Sequence, residues 1–510
     1  MTALLALLGL LTVKVTAKAL PGLGTRPAPK AIRLVALCLP LLAVGCANLP
    51  ALPNPAAQQT LAAARSLQVA PQWQAPLPHN GTLADLSRWW QSLGDPLLVE
   101  LIDAAQNASP TLASAKSRIA QARAARVAAG AALLPTLDAS LAASRGATQP
   151  SAPVATTLQG GLQVAWEIDL FGGNRSANEA ALARYESAQA QWHDARVSVA
   201  AEVANQYLNL RACEQQFALT RADASSRQET ARLSALTTRA GFTAPAQDAL
   251  ARASAAEAGN RVTQQRGQCD LDLKVLEALT ALPEPELREK LAVALVPIAQ
   301  EAAISIARIP ADALMQRPDI FSATRDVLAA SLDVRSTQAQ AYPRLSLNGS
   351  IGALNLRTGG ASDGYTTWSI GPLALSVPLF DGGRRAANTD AAAARLEEAQ
   401  ALYRARVLLA VREVEQALVN LQSAAARSDD TQAAAQGYRA AFEATQASYK
   451  AGLASLPQLE DARRTALAAD TVQLTLQRDR MLAWVALYRA AGGGWQAPAP
   501  GTAALAGSRQ

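Results

Sequence analysis

The sequence predicts a mixed fold of very long α-helices and membrane-crossing β-strands, and this fold occurs twice along the chain. Residues 174–240 contain neither glycine nor proline, and residues 384–451 contain one glycine and no proline. Each stretch follows a segment in which apolar and polar residues alternate, as in a β-strand with two different faces. A similar junction separates strand from helix in both places: DLFGGNR, residues 169–175, and PLFDGG, residues 378–383.

The composition favours close-packed helices over a thick globular core. Half of the 510 residues are apolar, but only 4% are aromatic, and much of the apolar material is alanine. The formal net charge of +6 comes largely from residues 1–45, which carry five basic residues and no acid. The remaining charges are interspersed and nearly balanced, so the charge pattern does not indicate a nucleic-acid partner.

Residues 1–45 are predicted to be a secretory signal peptide. A basic flank precedes a twelve-residue apolar run, residues 34–45, that is too short to cross a bilayer as a helix. The run leads into AVGC, which resembles a bacterial lipobox and predicts lipidation of Cys46, followed by a tether over residues 46–84. The alternatives are an uncleaved anchor or an ordinary signal peptide with a chance cysteine. A further apolar run within residues 1–25 is consistent with a start codon assigned too early.

Two pairs of β-strands are predicted, one pair in each half of the chain. The first pair reads LPTLDASLAAS from Leu134 and TLQGGLQVAWEIDLF from Thr157, joined by a polar loop. The second pair reads YPRLSLNGSIG from Tyr342 and TTWSIGPLALSVPLF from Thr366, joined by the polar loop NLRTGGASDG. Each strand is expected to have about ten residues, the length that crosses an outer membrane when tilted.

Each strand pair is followed by a predicted helical hairpin, and a helix that begins at proline precedes it. The long helices turn at Gly241 and Gly452, which suit the positive φ of a helix C-terminus and lie 211 residues apart. Other matching residues of the two halves lie 208 to 211 residues apart, such as Pro135 and Pro343. This near-constant offset predicts an internal duplication, with a first repeat over residues 85–308 and a second over residues 309–495. A C-terminal tail follows over residues 496–510.

The strand pairs of one chain are not expected to form a complete membrane unit. Four strands cannot close a barrel, and lipid does not tolerate an open sheet edge. Two chains would supply eight strands and three would supply twelve, and only the larger barrel leaves a lumen. The helices would then pack around the same axis. The alternative is a solid coiled coil without a lumen, which leaves the four amphipathic strands unexplained.

Several motifs together carry a resemblance to one family: ALLPTLDAS (132–140), DLFGGNR (169–175), IPADALMQRPDI (309–320), YPRLSLNGSIG (342–352), VPLFDGG (377–383) and LYRAAGGGW (487–495). The chain resembles the TolC-like outer-membrane efflux proteins, specifically the NodT-type lipoprotein branch that serves RND pumps. The resemblance implies a homotrimer with one twelve-stranded outer-membrane β-barrel, four strands per chain, continuous with a long periplasmic α-helical barrel. Residues 283–300 and the C-terminal tail are expected to supply part of an equatorial domain.

The resemblance implies a channel that passively conducts small molecules, such as drugs or aromatic compounds, out of the cell. The partners it implies are a periplasmic adaptor and an inner-membrane RND-type pump. The chain would be lipid-anchored and membrane-spanning in the outer membrane and would extend into the periplasm. The alternatives are a type I protein-secretion duct and a structural lipoprotein that bridges the envelope layers. Drugs, aromatic acids and metal ions all remain candidate cargo.

The resemblance also assigns the two hairpin turns to the periplasmic tip. The candidate adaptor contacts are Gly241, Phe242, Gly452, Leu453, Ala454 and Ser455. Asp461, Tyr449 and Gln458 fall where relatives have channel-gate residues. Gln458 and Ala454 replace an Asp and an Arg of some relatives, which argues against a salt-bridged lock at those positions. For Asp461, a solvated surface carboxylate is the alternative.

Two cysteines are predicted to form a disulfide. Cys213 lies 28 residues before Gly241 and Cys269 lies 28 residues after it, so both have the same height in an antiparallel hairpin. The periplasm is oxidising, which favours the bond.

The strand-to-helix change is assigned to the glycine pairs Gly172–Gly173 and Gly382–Gly383, whose backbone freedom it requires. Asp381, beside the second pair, has no adjacent counterpart in the first junction, and its role stays open.

The sequence does not indicate an enzyme, because it contains no nucleophile–base set or phosphate-binding loop. His79 and His193 are the only histidines and do not have the spacing of metal ligands. Neither a metal site nor a cofactor is therefore predicted.

Overall fold

The structure is a computed structural model, and it describes residues 89–147, 153–292, 314 and 316–495, all within one compact unit. The predicted signal peptide, the lipidation site Cys46, the tether and the C-terminal tail lie outside the described residues. Residues 293–300 of the predicted equatorial segment also lie outside them.

The first half of the chain contains helices, a strand pair and a long helical hairpin. Its elements are α1 (Trp89–Ser92), α2 (Pro96–Ala108), α3 (Pro110–Ala131), β1 (Thr136–Gly146), β2 (Ala155–Ile168), α4 (Gly173–Arg239), α5 (Pro245–Thr280) and α6 (Glu284–Leu291). Proline stands in the first turn of α2, α3 and α5, where its missing N–H breaks no helical bond. Asp95 and Ser109 cap α2 and α3 by accepting hydrogen bonds from backbone N–H groups.

The second half repeats this order. Its elements are α7 (Pro318–Ala339), β3 (Arg344–Thr358), β4 (Ala361–Ser376), α8 (Arg384–Lys450) and α9 (Leu456–Ala490). The long helices α4 and α8 each have 67 residues. At ~1.5 Å per residue, each is about 100 Å long. The predicted sequence of helix, strand pair and helical hairpin is thus present in both halves.

The strands are longer than the sequence patterns indicate. They have 11, 14, 15 and 16 residues instead of about ten. The predicted polar loop 355–364 is wrong, because Asn355 pairs with Gly364 and the ladder continues to the Thr358–Ala361 pair. Gly359 and Gly360 close this hairpin with φ of 59° and 91°, and a two-residue turn of this kind matches the twist of the flanking strands. Polar residues are therefore part of the strands.

The four strands form one antiparallel sheet in the order β1-β2-β3-β4. The register aligns apolar residues on one face, in the pairs Leu137–Val164, Leu162–Ile351 and Leu345–Leu375. Polar and charged residues share the other face, in the pairs Glu167–Ser346 and Arg344–Ser376. Since neighbouring residues of a strand point to opposite faces, the sheet has one apolar and one polar side.

The helices pack through alanine-rich seams and one larger core. Ala180 and Ala183 of α4 meet Ala329 and Leu332 of α7. The larger core, which includes Tyr207, Leu276 and Leu418, holds α1 and α2 against the long helices. Among the described helices, none combines the length and the apolar character needed to cross a membrane.

Candidate functional site at the hairpin turns and the strand-to-helix junctions

The two long helices end in the same turn. Gly241 and Gly452 have φ of 79° and 76°, which favours glycine. The Phe242 N–H donates to the Thr237 carbonyl at 2.9 Å, and the Leu453 N–H donates to the Ser448 carbonyl at 2.8 Å. This pattern is the Schellman motif, which satisfies the last carbonyls of a helix and reverses the chain.

The residue after each glycine projects an apolar side chain into the surroundings. Phe242 is 86% exposed and Leu453 is 83% exposed. In a Schellman motif this residue often packs back against its own helix, and here it does not. The two turns therefore present large apolar side chains that are available to another protein.

Ser455 and Gln458 form a capping box at the start of α9. The Ser455 N–H donates to Gln458 Oε1 at 2.7 Å, and the Gln458 N–H donates to Ser455 Oγ at 3.4 Å. The Gln458 side chain, one of the predicted gate residues, is thus engaged in its own helix start. Ala244 stands at the corresponding position of α5 and makes no side-chain cap.

The structure places the other two gate candidates in different environments. Asp461 is exposed and pairs with Arg464 on its own helix. Tyr449 is half-buried and packs against the small cluster of Ala251, Leu456 and Leu459 between the two hairpins. Burial raises the pKa of the Tyr449 hydroxyl.

A buried ion-pair network lies farther from the turns, and the sequence analysis missed it. Arg227 Nε donates to both carboxylate oxygens of Asp223, at 3.0 and 2.9 Å. Its Nη1 donates to Ser254 Oγ at 2.6 Å and to the Glu460 carboxylate. Arg463 also donates to Glu460, and it is only 3% exposed. Burial lowers the pKa of the Arg463 guanidinium.

This network joins the two helical hairpins. Arg227 is on α4, Ser254 on α5, and Glu460 and Arg463 on α9, and Arg463 Nη2 also donates to Thr230 Oγ1 at 3.0 Å. The sequence offers a weak signal for it, because Asp223–Arg227 and Glu460–Arg463 have helical i,i+4 and i,i+3 spacings. Only the three-dimensional structure shows that the Asp223–Arg227 pair faces the Glu460–Arg463 pair.

The four glycines at the two strand-to-helix junctions are required for two different reasons, backbone conformation and close packing. Gly172, Gly382 and Gly383 have φ of 74°, 67° and 89°, so three of the four predicted junction glycines are in the left-handed region. Gly173 is not. It is the first residue of α4, and a Cβ there would lie 3.0 Å from the Ala339 Cβ, so glycine allows close packing against α7.

Asp381 caps the start of α8, and Asp169 does the same for α4. Asp381 accepts from the N–H groups of Gly383 and Arg385, each at 3.1 Å. Asp169 accepts from the N–H of Asn174 at 3.3 Å and from that of Arg175 at 2.8 Å. The residues directly before the two helices are glycines without a side-chain cap. Desolvation opposes the charge of Asp381, but the backbone donors and the positive charges of Arg385 and Arg384 together outweigh it and lower the pKa of its carboxyl.

The two cysteines lie where the hairpin brings them together. Cys213 of α4 and Cys269 of α5 form a disulfide, and their Cα atoms are 5.5 Å apart. The bond links α4 and α5 at equal distances from Gly241.

Among the described residues, no group of three or more His, Cys, Asp or Glu side chains could hold a metal ion. His193 packs against Trp192 and Trp495, and burial lowers the pKa of its imidazole. His79 lies outside the described residues.

The fold and its sites define a class of protein: a duplicated chain in which two long helical hairpins continue from a shared antiparallel sheet. The model of the outer membrane efflux protein family matches residues 101–282 and 309–493. The chain belongs to this family, and the efflux function that the sequence motifs imply is confirmed at that level.

Relatives and solved structures agree with this assignment. The pyoverdine export outer membrane protein OpmQ of Pseudomonas putida is 30% identical over 440 residues, which cover 84% of this chain and 92% of that protein. Nodulation protein T of Rhizobium leguminosarum bv. viciae is 30% identical over 420 residues, covering 81% and 85%. The crystal structure of a membrane protein from Pseudomonas aeruginosa has a TM-score of 0.73 and 26% identity and covers 84% of this chain and 98% of its own.

Proposed function

We propose that the chain forms the passive outer-membrane duct of a tripartite efflux pump and that it works as a homotrimer. The observation that carries this proposal is the sheet. Among the described strands, β1 and β4 each pair on one side only, and one face of the sheet is apolar. In lipid an open edge must be closed, and three copies would give a twelve-stranded barrel that is wide enough for a lumen.

The two faces of the sheet fit this arrangement. The apolar face would contact lipid, and the polar face, with Glu167, Arg344 and Ser376, would line water. The hairpins would continue the duct into the periplasm over about 100 Å. The Cys213–Cys269 disulfide suits that oxidising compartment. Lipidation of Cys46 would add an anchor in the outer membrane.

The hairpin turns are the proposed contact with a periplasmic adaptor. Phe242 and Leu453 are exposed apolar side chains beside hydrogen-bonded glycine turns, and Ala454 and Ser455 follow Leu453 in the second turn. The sequence has no nucleotide-binding loop, so an inner-membrane RND-type pump would supply the energy. Small molecules are the proposed cargo, in keeping with the names of relatives that export pyoverdine or efflux toluene.

The gate is proposed to lie on the second hairpin, at Asp461 and Tyr449, with Gln458 supporting the turn through its capping box. Three copies of the exposed Asp461 around a narrow axis would favour cations.

The proposal is tested by accumulation of a fluorescent pump substrate in cells that retain the pump and adaptor. We expect deletion of the gene to raise intracellular fluorescence and the wild-type gene to restore export. F242D/L453D should fail to restore export although it reaches the outer membrane, whereas T243S, a conservative change in the same turn, should restore it. Unchanged accumulation of every tested substrate after deletion would contradict the efflux function.

A further inference from the structure

A basic cavity of about 400 Å³ lies at the second strand-to-helix junction. Arg344 at the start of β3 and Arg384 and Arg385 at the start of α8 line it, together with Ser376 and Asn388. Three guanidinium groups thus border one small concave space beside polar side chains.

Two of these guanidinium groups make no direct ion pair, although Arg384 lies close enough to Asp381 to lower the pKa of that carboxyl. Arg385 pairs with Asp381 at 3.0 Å. Within the described part of the chain, the Arg344 and Arg384 side chains have neither an ion pair nor a side-chain hydrogen bond. Arg344 also borders a neighbouring cavity that Glu167 and Asp169 line, without an ion pair to either carboxylate. Unpaired guanidinium groups in a concave site match the geometry of carboxylate and phosphate oxygens.

The sheet register shows which face the cavity is on. Arg344 and Ser376 pair with each other on the polar face, and the next pair, Leu345–Leu375, is on the apolar face. Under the proposed function, the polar face lines the water-filled duct and the apolar face contacts lipid. The cavity therefore opens towards passing solute and not towards lipid headgroups.

The first copy of the repeat does not contain this site. In the aligned junctions, Thr136 corresponds to Arg344, Asn174 to Arg384 and Glu167 to Ser376, while Arg175 matches Arg385. Both copies keep the capping carboxylate, Asp169 or Asp381. The second junction is therefore net positive and the first net negative, although the backbone plan is the same. The extra arginines are not required for the strand-to-helix change.

We propose that this cavity binds anionic groups of transported solutes, such as carboxylates, phosphates or sulfonates, at the passage from the helical part of the duct to the barrel. The inference rests on the proposed duct function, because that function makes the polar face a lumen. Three chains would repeat the site around the axis and favour the passage of anions there.

The test is isothermal titration of the purified trimer in detergent with inorganic tripolyphosphate at low ionic strength. R344T/R384N, which installs the first-copy residues, should weaken binding about tenfold or more, since each charge-assisted hydrogen bond contributes on that scale. R344K/R384K should keep more affinity than R344T/R384N. R145T/R357T removes two arginines that flank Thr156 on the other face of the sheet and should bind like the wild type.

Three outcomes would overturn the inference: no binding to wild type, equal binding to wild type and R344T/R384N, or equal losses of affinity in R344T/R384N and R145T/R357T. Loss of co-purified anionic phospholipid in R344T/R384N with unchanged tripolyphosphate binding would also overturn it, since the site would then be a lipid site. The titration needs neither pump nor adaptor, so its failure is distinguishable from failure of the efflux assay. Trimer assembly, measured by size-exclusion chromatography, confirms that each variant is folded.

Discussion

Removing Glu460 should weaken the docking of the two hairpins more than any surface substitution nearby. Its carboxylate is 16% exposed and accepts from Arg227, Arg463 and Ser254, the last at 2.8 Å. Arg227 would retain Asp223, whereas Arg463 would lose the carboxylate with which it is paired. Breaking a buried pair by removing one partner costs about 3–5 kcal/mol. E460L is therefore expected to lower the local opening free energy by about this amount.

Hydrogen exchange followed by mass spectrometry is the suitable assay, because it reports opening of the hairpins separately from the rest of the chain. We expect E460L to speed exchange in α9 and in the facing part of α4, without changing exchange in the strands. E460L/R463M should restore most of the protection, since replacing both members of a buried pair by apolar residues is often neutral or stabilising. D461L, which removes the exposed neighbour, is the matched control and should change little.

Two results would refute this reasoning. Unchanged exchange in E460L would show that the network contributes nothing to docking. Equal protection loss in E460L and E460L/R463M would show that the effect comes from packing volume and not from an unpaired buried guanidinium.

Four further predictions concern other sites. C213S/C269S removes a cross-link with a sequence separation of 56, so by the loop-closure model it should cost about 4 kcal/mol. The loss is measurable as a lower midpoint in chemical unfolding, and the conservative change A212S beside Cys213 is the matched control. G452A places a side chain at φ of 76° and should destabilise the turn by about 1–2 kcal/mol, with faster proteolysis at the tip, whereas the mid-helix change G437A should not. Burial and the 2.6 Å hydrogen bond to Asp95 raise the pKa of Tyr207 to about 12 from 10.0. The free energy of unfolding that Tyr207 contributes should therefore be fully present below pH 10 and fall as the pH rises towards 12. Y207F should abolish this pH dependence. D169N should weaken the start of α4 by about 1 kcal/mol, seen as faster exchange in its first turn, and unchanged exchange would contradict the capping role.

The features that sequence reasoning predicts well are those set by local patterns. A run without glycine or proline locates α4, and a run with one glycine and no proline locates α8. A single glycine marks each turn. The equal spacing of Cys213 and Cys269 from Gly241 suffices to place them side by side, because an antiparallel hairpin has only one register for a given turn. The strand ends were harder, because polar residues 355–364 continue the ladder where a loop was expected.

The features that sequence reasoning misses depend on partners that are distant in the sequence, or on how far a side chain extends to its hydrogen-bond donor. Arg227 and Glu460 are 233 residues apart in the sequence, so no local pattern shows their contact. Asp381 has no adjacent counterpart in the sequence of the first junction, because Asp169 stands three residues before the glycine pair there instead of directly before it. Asp169 reaches the N–H of Arg175 six residues later, and the two carboxylates converge on one role from different positions.

At each strand-to-helix junction, a carboxylate caps the helix and glycines turn the backbone, so the first helical residues that do neither can change during evolution. The capping carboxylate and the glycines set the direction of the chain, so the side chains at positions 174 and 384 are not needed to cap the helices. One copy carries Asn174 there and the other carries Arg384. A duplicated chain can therefore diversify the lining of a symmetric assembly, one copy at a time, while the geometry of every junction is preserved.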